Sequence, residues 1–586
     1  MLADPPPPAP PAIVAPAASA ASAPPASAAP AAPPLFTDAT ADLGMRPHSE
    51  GRLALADLNG DGRPDLVLAR RLVFLNTPDA SAPRGWRFVP APTTLPDLGA
   101  DAVTAVADFD NDGRIDAIVA RNADDGARSP WLVLCPGRGE GTFGDPVAVA
   151  GAAPTHAAAL AVGDVNGDGL LDFYRGNWYR KYGDALDAPP GDLFVQVSPA
   201  TTPPTFRRVP LPEDGIPFDE SRDAGGRPTY GAVIAHFAAP SAPLGPVQIA
   251  QMNYGRRWNR LYARTAGGWA DVAPAVGFDG DEDRSGKYPA WLAERAKNDK
   301  RFEREDEKPF RANGNHFDLA VADVNDDGLF DCFVVAIAHA WAGPSSDRSR
   351  FLVAQRAETP LGVRFDSPPS WCVDRIPAGD GPESRSWNQG DLFAELADVD
   401  NDGRIDLVLA SGDYPDAPPF DERLRIFRQR AQPGADGRLF EDITLASGID
   451  LPGAAQLAVG DLDLDGDIDI VCGQSFTRFS KEMIEAAGGT PQLRIYLNES
   501  AQRGAPGTTL RLRGTPAAGV NADAIGAIVR AMVPAVGDEP ARTRIAQLRG
   551  AGGHSGKQSA MQVHFGATPP GTRFELPPGV ERVDAK

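Results

Sequence analysis

The sequence predicts an all-β chain, a seven-bladed β-propeller with cation-binding loops followed by a small C-terminal β domain. Three observations carry that prediction. A nine-residue phrase of Asp and Asn built around a glycine occurs six times. Each copy lies between two short apolar runs. The copies are set in a longer unit of roughly 50–75 residues holding four short runs, the signature of a propeller blade.

The phrases start at Asp57 (D-L-N-G-D-G-R-P-D), Asp108 (D-F-D-N-D-G-R-I-D), Asp164 (D-V-N-G-D-G-L-L-D), Asp323 (D-V-N-D-D-G-L-F-D), Asp398 (D-V-D-N-D-G-R-I-D) and Asp461 (D-L-D-L-D-G-D-I-D). Positions 1, 3, 5 and 9 carry side-chain oxygens. These are Asp57, Asn59, Asp61 and Asp65; Asp108, Asp110, Asp112 and Asp116; Asp164, Asn166, Asp168 and Asp172. The later three sets are Asp323, Asn325, Asp327 and Asp331; Asp398, Asp400, Asp402 and Asp406; Asp461, Asp463, Asp465 and Asp469. Position 7 adds a backbone carbonyl, from Arg63, Arg114, Leu170, Leu329, Arg404 and Asp467. Alternate residues point inward and the glycine at position 6 allows the sharp turn. Ca²⁺ takes about six to eight oxygens at about 2.3–2.6 Å. The last carboxylate comes at position 9, not 12, and the flanks are strands, so these are not EF-hands. The expected cofactor is therefore Ca²⁺, about six ions.

Within each unit an apolar strand precedes the phrase, as Leu53–Ala56 or Val103–Ala107, and a second follows it, as Leu66–Ala69, Ala117–Ala120 or Leu407–Ala410. Third strands are expected at Leu72–Leu75, Trp131–Leu134, Leu424–Phe427 and Leu493–Leu497, and fourth strands at Phe88, Phe143, Phe206, Phe365 and Phe440. The 159 residues from Asp164 to Asp323 are too many for one blade. Ala232–Phe237, Val247–Asn253, Arg260–Arg264 and Trp269–Val272 fill the gap as a fourth blade without its calcium phrase, His236 standing where the first Asp would be. The seventh blade lacks an outer strand, and Leu35–Thr40 is expected to supply it, closing the ring and removing an open edge.

Residues 1–34 are almost all Pro, Ala and Ser and read as a semi-rigid linker; 35–503 form the propeller, with a charged, partly helical insertion at 279–313 (helix expected over Pro289–Lys308). After 504 the pattern changes to a small β domain over 504–586, with strands at Thr509–Arg513, Ile525–Val533, Arg542–Arg549, Ala560–Phe565 and Arg573–Leu576 and a Gly-rich turn at Gly550–Gly556.

The formal charge of −22 argues against nucleic acid, and six Ca²⁺ would bring it to −10. No run of 18 apolar residues is present, so no transmembrane segment is expected. Cys135, Cys332, Cys372 and Cys472 show no metal spacing; Cys332 and Cys472 read as buried hydrophobes, and a Cys332–Cys372 bridge is one alternative.

The six phrases resemble the FG-GAP/VCBS repeats of integrin α propellers and many secreted bacterial proteins. The stretches N-A-D-A-I-G-A at Asn521, G-G-H-S-G-K-Q-S at Gly552 and V-H-F-G at Val563 are similar to the ASPIC/UnbV domain, and the combination resembles the cartilage acidic protein family. The resemblance implies a seven-bladed propeller with calcium in the first hairpin of most blades, and no particular reaction. With the multi-calcium loops and the stalk-like N-terminus, it points to an extracellular, periplasmic or surface-tethered location.

If the phrases all lie at one end of the blades, the segments entering first strands and leaving second strands lie at the other. His48, His156 and His316 enter there; Trp178, Tyr179, Arg180, Asn253, Tyr254, Arg256, Arg257, His339, Trp341, Asp413, Tyr414, Asp416 and Arg478 leave there. Aromatics with Arg and Asp suit a glycan or a protein ligand, and convergent histidines suit a transition metal. Two functions follow. The first is a calcium-stabilised propeller that binds a glycan or protein on that face. The alternative is an enzyme, a lyase or dehydratase on sugars or a metal-dependent redox enzyme, with its site there. No serine elbow, P-loop, H-E-x-x-H or dinucleotide fingerprint is present.

Overall fold

The computed structural model describes residues 33–583, except 46–51, 70, 100–101, 122–129, 181–187, 199–202, 217–224, 243, 245–246, 256, 281–286, 288–289, 299–313, 340–346, 377–379, 381–386, 413–421 and 538–539. Leu35–Lys586 forms one compact unit.

The chain is all-β, and its larger part is seven antiparallel sheets taken in order, the fifth and sixth joined into one by the pairing of Ile337 with Gly390 and Ala338 with Gln389. Sheet 1 holds Leu53–Ala56, Asp65–Leu68, Leu72–Pro78 and Trp86–Pro90. Sheet 2 holds Val103–Ala107, Asp116–Ala120, Leu132–Cys135 and Val147–Ala148, and sheet 3 Ala157–Gly163, Asp172–Asn177, Asp192–Ser198 and Thr205–Val209. Sheet 4 is Thr229–His236, Val247–Asn253, Arg260–Thr265 and Gly268–Asp271; sheet 5 is His316–Ala322, Asp331–Ala338, Arg350–Arg356 and Val363–Asp366. Sheet 6 contains Gln389–Ala397, Asp406–Ser411, Leu424–Gln429 and Phe440–Asp442. Sheet 7 contains Ala454–Gly460, Asp469–Gln474 and Leu493–Asn498, and its fourth strand is Phe36–Asp38 from the other end of the chain, paired Phe36 to Asn498.

Burial explains the strand chemistry. First strands such as Ala157–Gly163 (AAALAVG) are buried at every position, so they read as continuous apolar runs. Fourth strands such as Trp86–Pro90 alternate buried and exposed residues. One apolar cluster fills each junction between successive sheets. The junction of sheets 7 and 1 is built alike, with Leu53, Leu55 and Leu66 against Ala458, Val471, Leu493 and Ile495. Each fully buried Leu, Ile or Phe there contributes about 1.5–3 kcal/mol of burial free energy.

Sequence expectation and structure part in several places. Phe143 is not in the fourth strand of sheet 2; it closes a short hairpin, Gly137–Gly139 with Thr142–Phe143, and Val147–Ala148 takes the outer edge instead. The helix expected over Pro289–Lys308 is described only as Ala290–Ala296. All four cysteines are free thiols, so Cys332 and Cys372 are not bridged. In sheet 4, where the calcium phrase is missing from the sequence, the His236 Nε2 lies 2.9 Å from the Gly526 carbonyl and its backbone N–H donates to Gln547 Oε1.

Beyond residue 504, two three-stranded sheets share one core: Thr509–Gly514 between Gln562–His564 and Val580–Val583, and Ile528–Val533 between Arg542–Gln547 and Arg573–Glu575. The segment from Gly550 to Gln562, read from sequence as a Gly-rich turn and the start of a strand, runs along the first strands of all seven sheets. The Gln558 carbonyl accepts from Leu55 N–H, and its side chain both donates to and accepts from the Val106 backbone. Ala551 and Ser555 bond to sheet 3, and Gly553 and His554 pair with Ala232 and Gly231 of sheet 4. Lys557 reaches sheets 5 and 6, and Ser559 and Ala560 bond Val459 of sheet 7.

Gln558 is 1% exposed, so truncating it strands buried backbone groups of sheet 2. Gln558→Ala is expected to lower the unfolding free energy by about 1–3 kcal/mol, read as a lower denaturant midpoint at unchanged m-value.

Candidate functional site

The six Asp-rich phrases join the first and second strands of sheets 1, 2, 3, 5, 6 and 7, so they lie at the same end of their sheets. The loop backbone is the same each time. Position 4 takes a left-handed conformation at Gly60, Asn111, Gly167, Asp326, Asn401 and Leu464, with φ of 76°, 59°, 77°, 57°, 58° and 65°. Gly, Asn and Asp tolerate that; Leu464 is strained. Oδ2 of the first Asp accepts the N–H of the glycine at position 6, at 2.7–3.1 Å.

The ninth Asp does more than face a cation. Its Oδ2 accepts the position-2 N–H, and its Oδ1 accepts an N–H of the third strand, from Asn76, Gln196, Ala354, Gln429 or Asn498, or in sheet 2 the N–H of Gly137 just beyond that strand. It latches loop to sheet, and each oxygen keeps a lone pair for a metal.

These carboxylates are buried together. Burial, helped by neighbouring carboxylates, pushes Asp65, Asp108, Asp323, Asp398 and Asp461 up to about 8 and Asp116, Asp331 and Asp463 to about 7. Oxygens of Asp108, Asp110 and Asp116 lie within 4.8 Å of one another, as do those of Asp398, Asp400 and Asp406, and of Asp461, Asp463 and Asp465. Oδ1 of Asp461 and Oδ1 of Asp463 are buried and accept no hydrogen bond among the described residues. An all-oxygen, anionic, water-poor donor set of this kind fits a hard divalent cation.

The loops also carry the C-terminal sheets. Asn111 Oδ1 accepts Ala522 N–H, Asp523 accepts Asp108 N–H, Asn401 donates to the Ala505 carbonyl, and Arg542 and Arg544 pair with Asp326. Three position-4 side chains are thus docking groups.

At the other end of sheets 3 to 5, aromatic rings converge. Trp178 stacks on Tyr230 with centroids 3.9 Å apart, and lies 4.7 Å from Tyr179 and 5.2 Å from Tyr254. Tyr230 stacks on Phe317 at 4.2 Å, and His554 of the Gly550-to-Gln562 segment meets both. Trp178, Tyr230 and Tyr254 are half-buried, Tyr179 is buried and Arg180 is exposed. The Trp178 N–H donates to the carbonyl of His156, which brings that residue beside the cluster.

The other expected site residues serve differently. Asn253 is buried, its Nδ2 donating to the Trp258 carbonyl and its Oδ1 accepting from the Thr229 hydroxyl, and Arg257 is buried too. His339 is held down to about 4 by burial and by Arg478 nearby. His316 is 1% exposed, its Nε2 3.7 Å from Asp347 Oδ2, beyond hydrogen-bond range. Among the described residues no group of three metal ligands includes a histidine. His48, Arg256, Trp341, Asp413, Tyr414 and Asp416 lie outside the described residues. Sequence reasoning missed Tyr230, Phe317 and Asp347; the first two sit in apolar first strands and look like core. It also missed Arg375, which pairs with Asp391 and lies beside Glu422, a carboxyl that burial pushes up to about 7.

The family model for the FG-GAP-like repeat matches residues 57–119, 108–174 and 398–472. Among solved structures, the chain is similar to an Agrocybe aegerita lectin that recognises non-reducing terminal N-acetylglucosamine: TM-score 0.34, 14% identity, 67% of this chain and 79% of that one. It is similar to an exotype rhamnogalacturonan lyase (TM-score 0.28, 13% identity, 72% and 76%). The V. cholerae biofilm matrix protein Bap1 matches at TM-score 0.29 and 8% identity, over 77% and 88%. No curated protein matches the sequence. No described helix is long and apolar enough to cross a membrane.

Burial holds the His316 imidazole neutral, moving it from 6.5 to about 3, so between those values the unfolded chain binds the proton that the folded chain refuses. Stability from this group is complete above pH 6.5 and is lost as pH falls towards 3. His316→Gln is expected to flatten the acid limb by up to about 1.4 kcal/mol per pH unit, measured by denaturant unfolding at pH 7, 6 and 5.

Proposed function

We propose that the seven sheets are the blades of a closed propeller, that its six loops hold Ca²⁺, and that it binds a glycan or protein on the face away from them. Residues 504–586 act in this reading as an ASPIC/UnbV-like domain, and the protein works outside the cytoplasm or tethered to a surface. The observation that carries the binding function is the half-buried ring cluster of Trp178, Tyr230 and Tyr254, with exposed Arg180 two residues along the chain from Trp178. Stacked faces with a nearby guanidinium suit the apolar face of a sugar ring or an aromatic and acidic peptide side chain.

Calcium would be held by positions 1, 3, 5 and 9 with the position-7 carbonyl, and its chemistry is charge neutralisation. It lets buried carboxylates ionise together. The crowding of Asp461, Asp463 and Asp465 supports this reading most directly.

A second reading, an enzyme on the same face, is favoured by one observation: a neutral, buried His316 whose Nε2 faces the carboxylate of Asp347. Turnover of a sugar acid or a redox substrate that His316→Ala abolishes without unfolding the protein would put this reading first.

Chelation is expected to destabilise the protein by about 2.7 kcal/mol for each site otherwise held at a hundredfold excess over its Kd, seen as a lower melting temperature. An unchanged melt in excess chelator sinks the calcium assignment. Asp398→Ala is expected to lose one of about six bound Ca²⁺ by plasma mass spectrometry. The melting gain from calcium should shrink as pH falls from 8 to 6, because protons compete for the same carboxylates. For the binding face, Trp178→Ala and Tyr254→Ala are expected to abolish signals on a glycan array that the parent protein gives. Signals that persist in both variants would exclude the ring cluster as the site.

A further inference from the structure

Lys557 is carried by the Gly550-to-Gln562 segment into the wall between sheets 5 and 6, where it meets two carboxyl groups. Its Nζ lies 2.7 Å from Asp318 Oδ2 and 3.3 Å from Glu395 Oε1, and donates to the Ala394 carbonyl. All three residues are cut off from water: Lys557 is 6% exposed, Glu395 2% and Asp318 0%. Phe317 and Phe393 pack against the neighbouring His554 ring, with centroids 5.3 and 5.0 Å away.

The two acids are held differently. Asp318 Oδ1 accepts the His554 N–H and Oδ2 the Ala394 N–H, both at 3.0 Å, so its carboxyl sits between two fixed donors. Burial nevertheless raises it above the ordinary carboxylate range, which favours the neutral acid. Burial acts on Glu395 in the same direction, but Lys557 and Arg549 outweigh it and keep that group ionised. Ser559 Oγ donates to Glu395 Oε1 and Arg549 to Oε2. One acid is suited to accept a nucleophile and the other to accept a proton. The glycine at 553 makes the approach possible. A Cβ there would come 2.0 Å from Asp318 Oδ1 and 3.0 Å from the Lys557 side chain.

We propose that Lys557 and Asp318 are joined by an isopeptide bond that the folded chain forms on itself, with Glu395 as the catalytic base. Glu395 takes one proton from the Lys557 ammonium, and the freed Nζ lone pair attacks Cγ of the Asp318 carboxylic acid. The His554 and Ala394 N–H groups stabilise the charge that develops on the carboxyl oxygens. A C–N bond forms and one C–O bond breaks. The leaving hydroxyl takes a second proton from Nζ, relayed by Glu395, and departs as water; the third stays on the amide nitrogen. Glu395 ends protonated, no oxidant or reductant is involved, and charge balances. The neutral amide replaces a buried ion pair, removing a desolvation cost that the pair carries. Holding the two groups in contact supplies the proximity that an intermolecular amide synthesis lacks. The bond ties residues 239 apart in sequence and locks the Gly550-to-Gln562 segment to the ring of strands.

The test is the intact mass of the purified full chain under denaturing conditions. The expected value is lower than the sequence mass by one water, and a protease digest is expected to give one branched peptide containing both Asp318 and Lys557. Lys557→Arg and Glu395→Gln are each expected to show the full sequence mass. A cooperatively folded wild-type protein at full mass, yielding only linear peptides, overturns the proposal and leaves a buried ion pair. That wild-type measurement decides the matter even if a variant fails to fold. A Glu395→Gln protein that crosslinks as completely as wild type overturns the role given to Glu395.

Discussion

The fold depends on the hydrogen bonds between the Gly550-to-Gln562 segment and the first strands of seven sheets. A first strand pairs on one side with its own second strand, and its other edge has no partner strand within its own sheet. Buried unpaired N–H and C=O groups there would cost free energy. Residues 550–562 answer those edges at Leu55, Val106, Ala158, Val162, Gly231, Ala232 and Val459. Small residues make this possible. A Cβ at Gly556 would lie 2.7 Å from the Thr104 carbonyl, which no side chain tolerates. Since these bonds join residues hundreds of positions apart, each carries the entropic cost of closing a long loop.

The Asp-rich loops and the C-terminal sheets are one electrostatic assembly. Position 4 of the loop turns outward in a left-handed conformation, and in three loops its side chain grips the C-terminal region. Position 9 turns inward and fastens the loop to the third strand. The remaining carboxylates crowd one another in buried space, which is why their pKa values rise. That distribution separates attachment from cation binding within nine residues. In sheet 4 the phrase is missing, and His236 and Gln547 connect the same two regions by direct hydrogen bonds instead.

At the opposite end, sheets 3, 4 and 5 contribute the rings and sheet 6 an ion cluster around Asp391. The ring cluster joins two groups of residues. Trp178 and Tyr254 follow second strands and are half-buried, exposed enough for contact with a partner, whereas Tyr179 beside them is buried. Tyr230, Phe317 and His554 lie beneath and fix their planes. His316, adjacent in sequence to Phe317, lies beside Asp347, at a point where the pairing of its strand shifts register. For this reason its proximity in sequence to the cluster did not translate into membership.

What the sequence determined by itself was local. The spacing of Asp and Gly fixed the loops, and continuous apolar runs marked the first strands, because both patterns are read over fewer than about ten residues by backbone geometry. The strand that Leu35–Thr40 is expected to lend to the seventh blade is found in sheet 7 at Phe36–Asp38, because that sheet lacks a fourth strand of its own. What only the tertiary structure decided was contact between distant segments: the path of Gly550–Gln562 along the strands, the meeting of Lys557 with Asp318 and Glu395, and the stacking of Tyr230 on Trp178. No local pattern encodes these, because a buried lysine and an exposed one have the same spacing in sequence. Their roles come from desolvation and proximity, and both exist only after the chain has closed on itself.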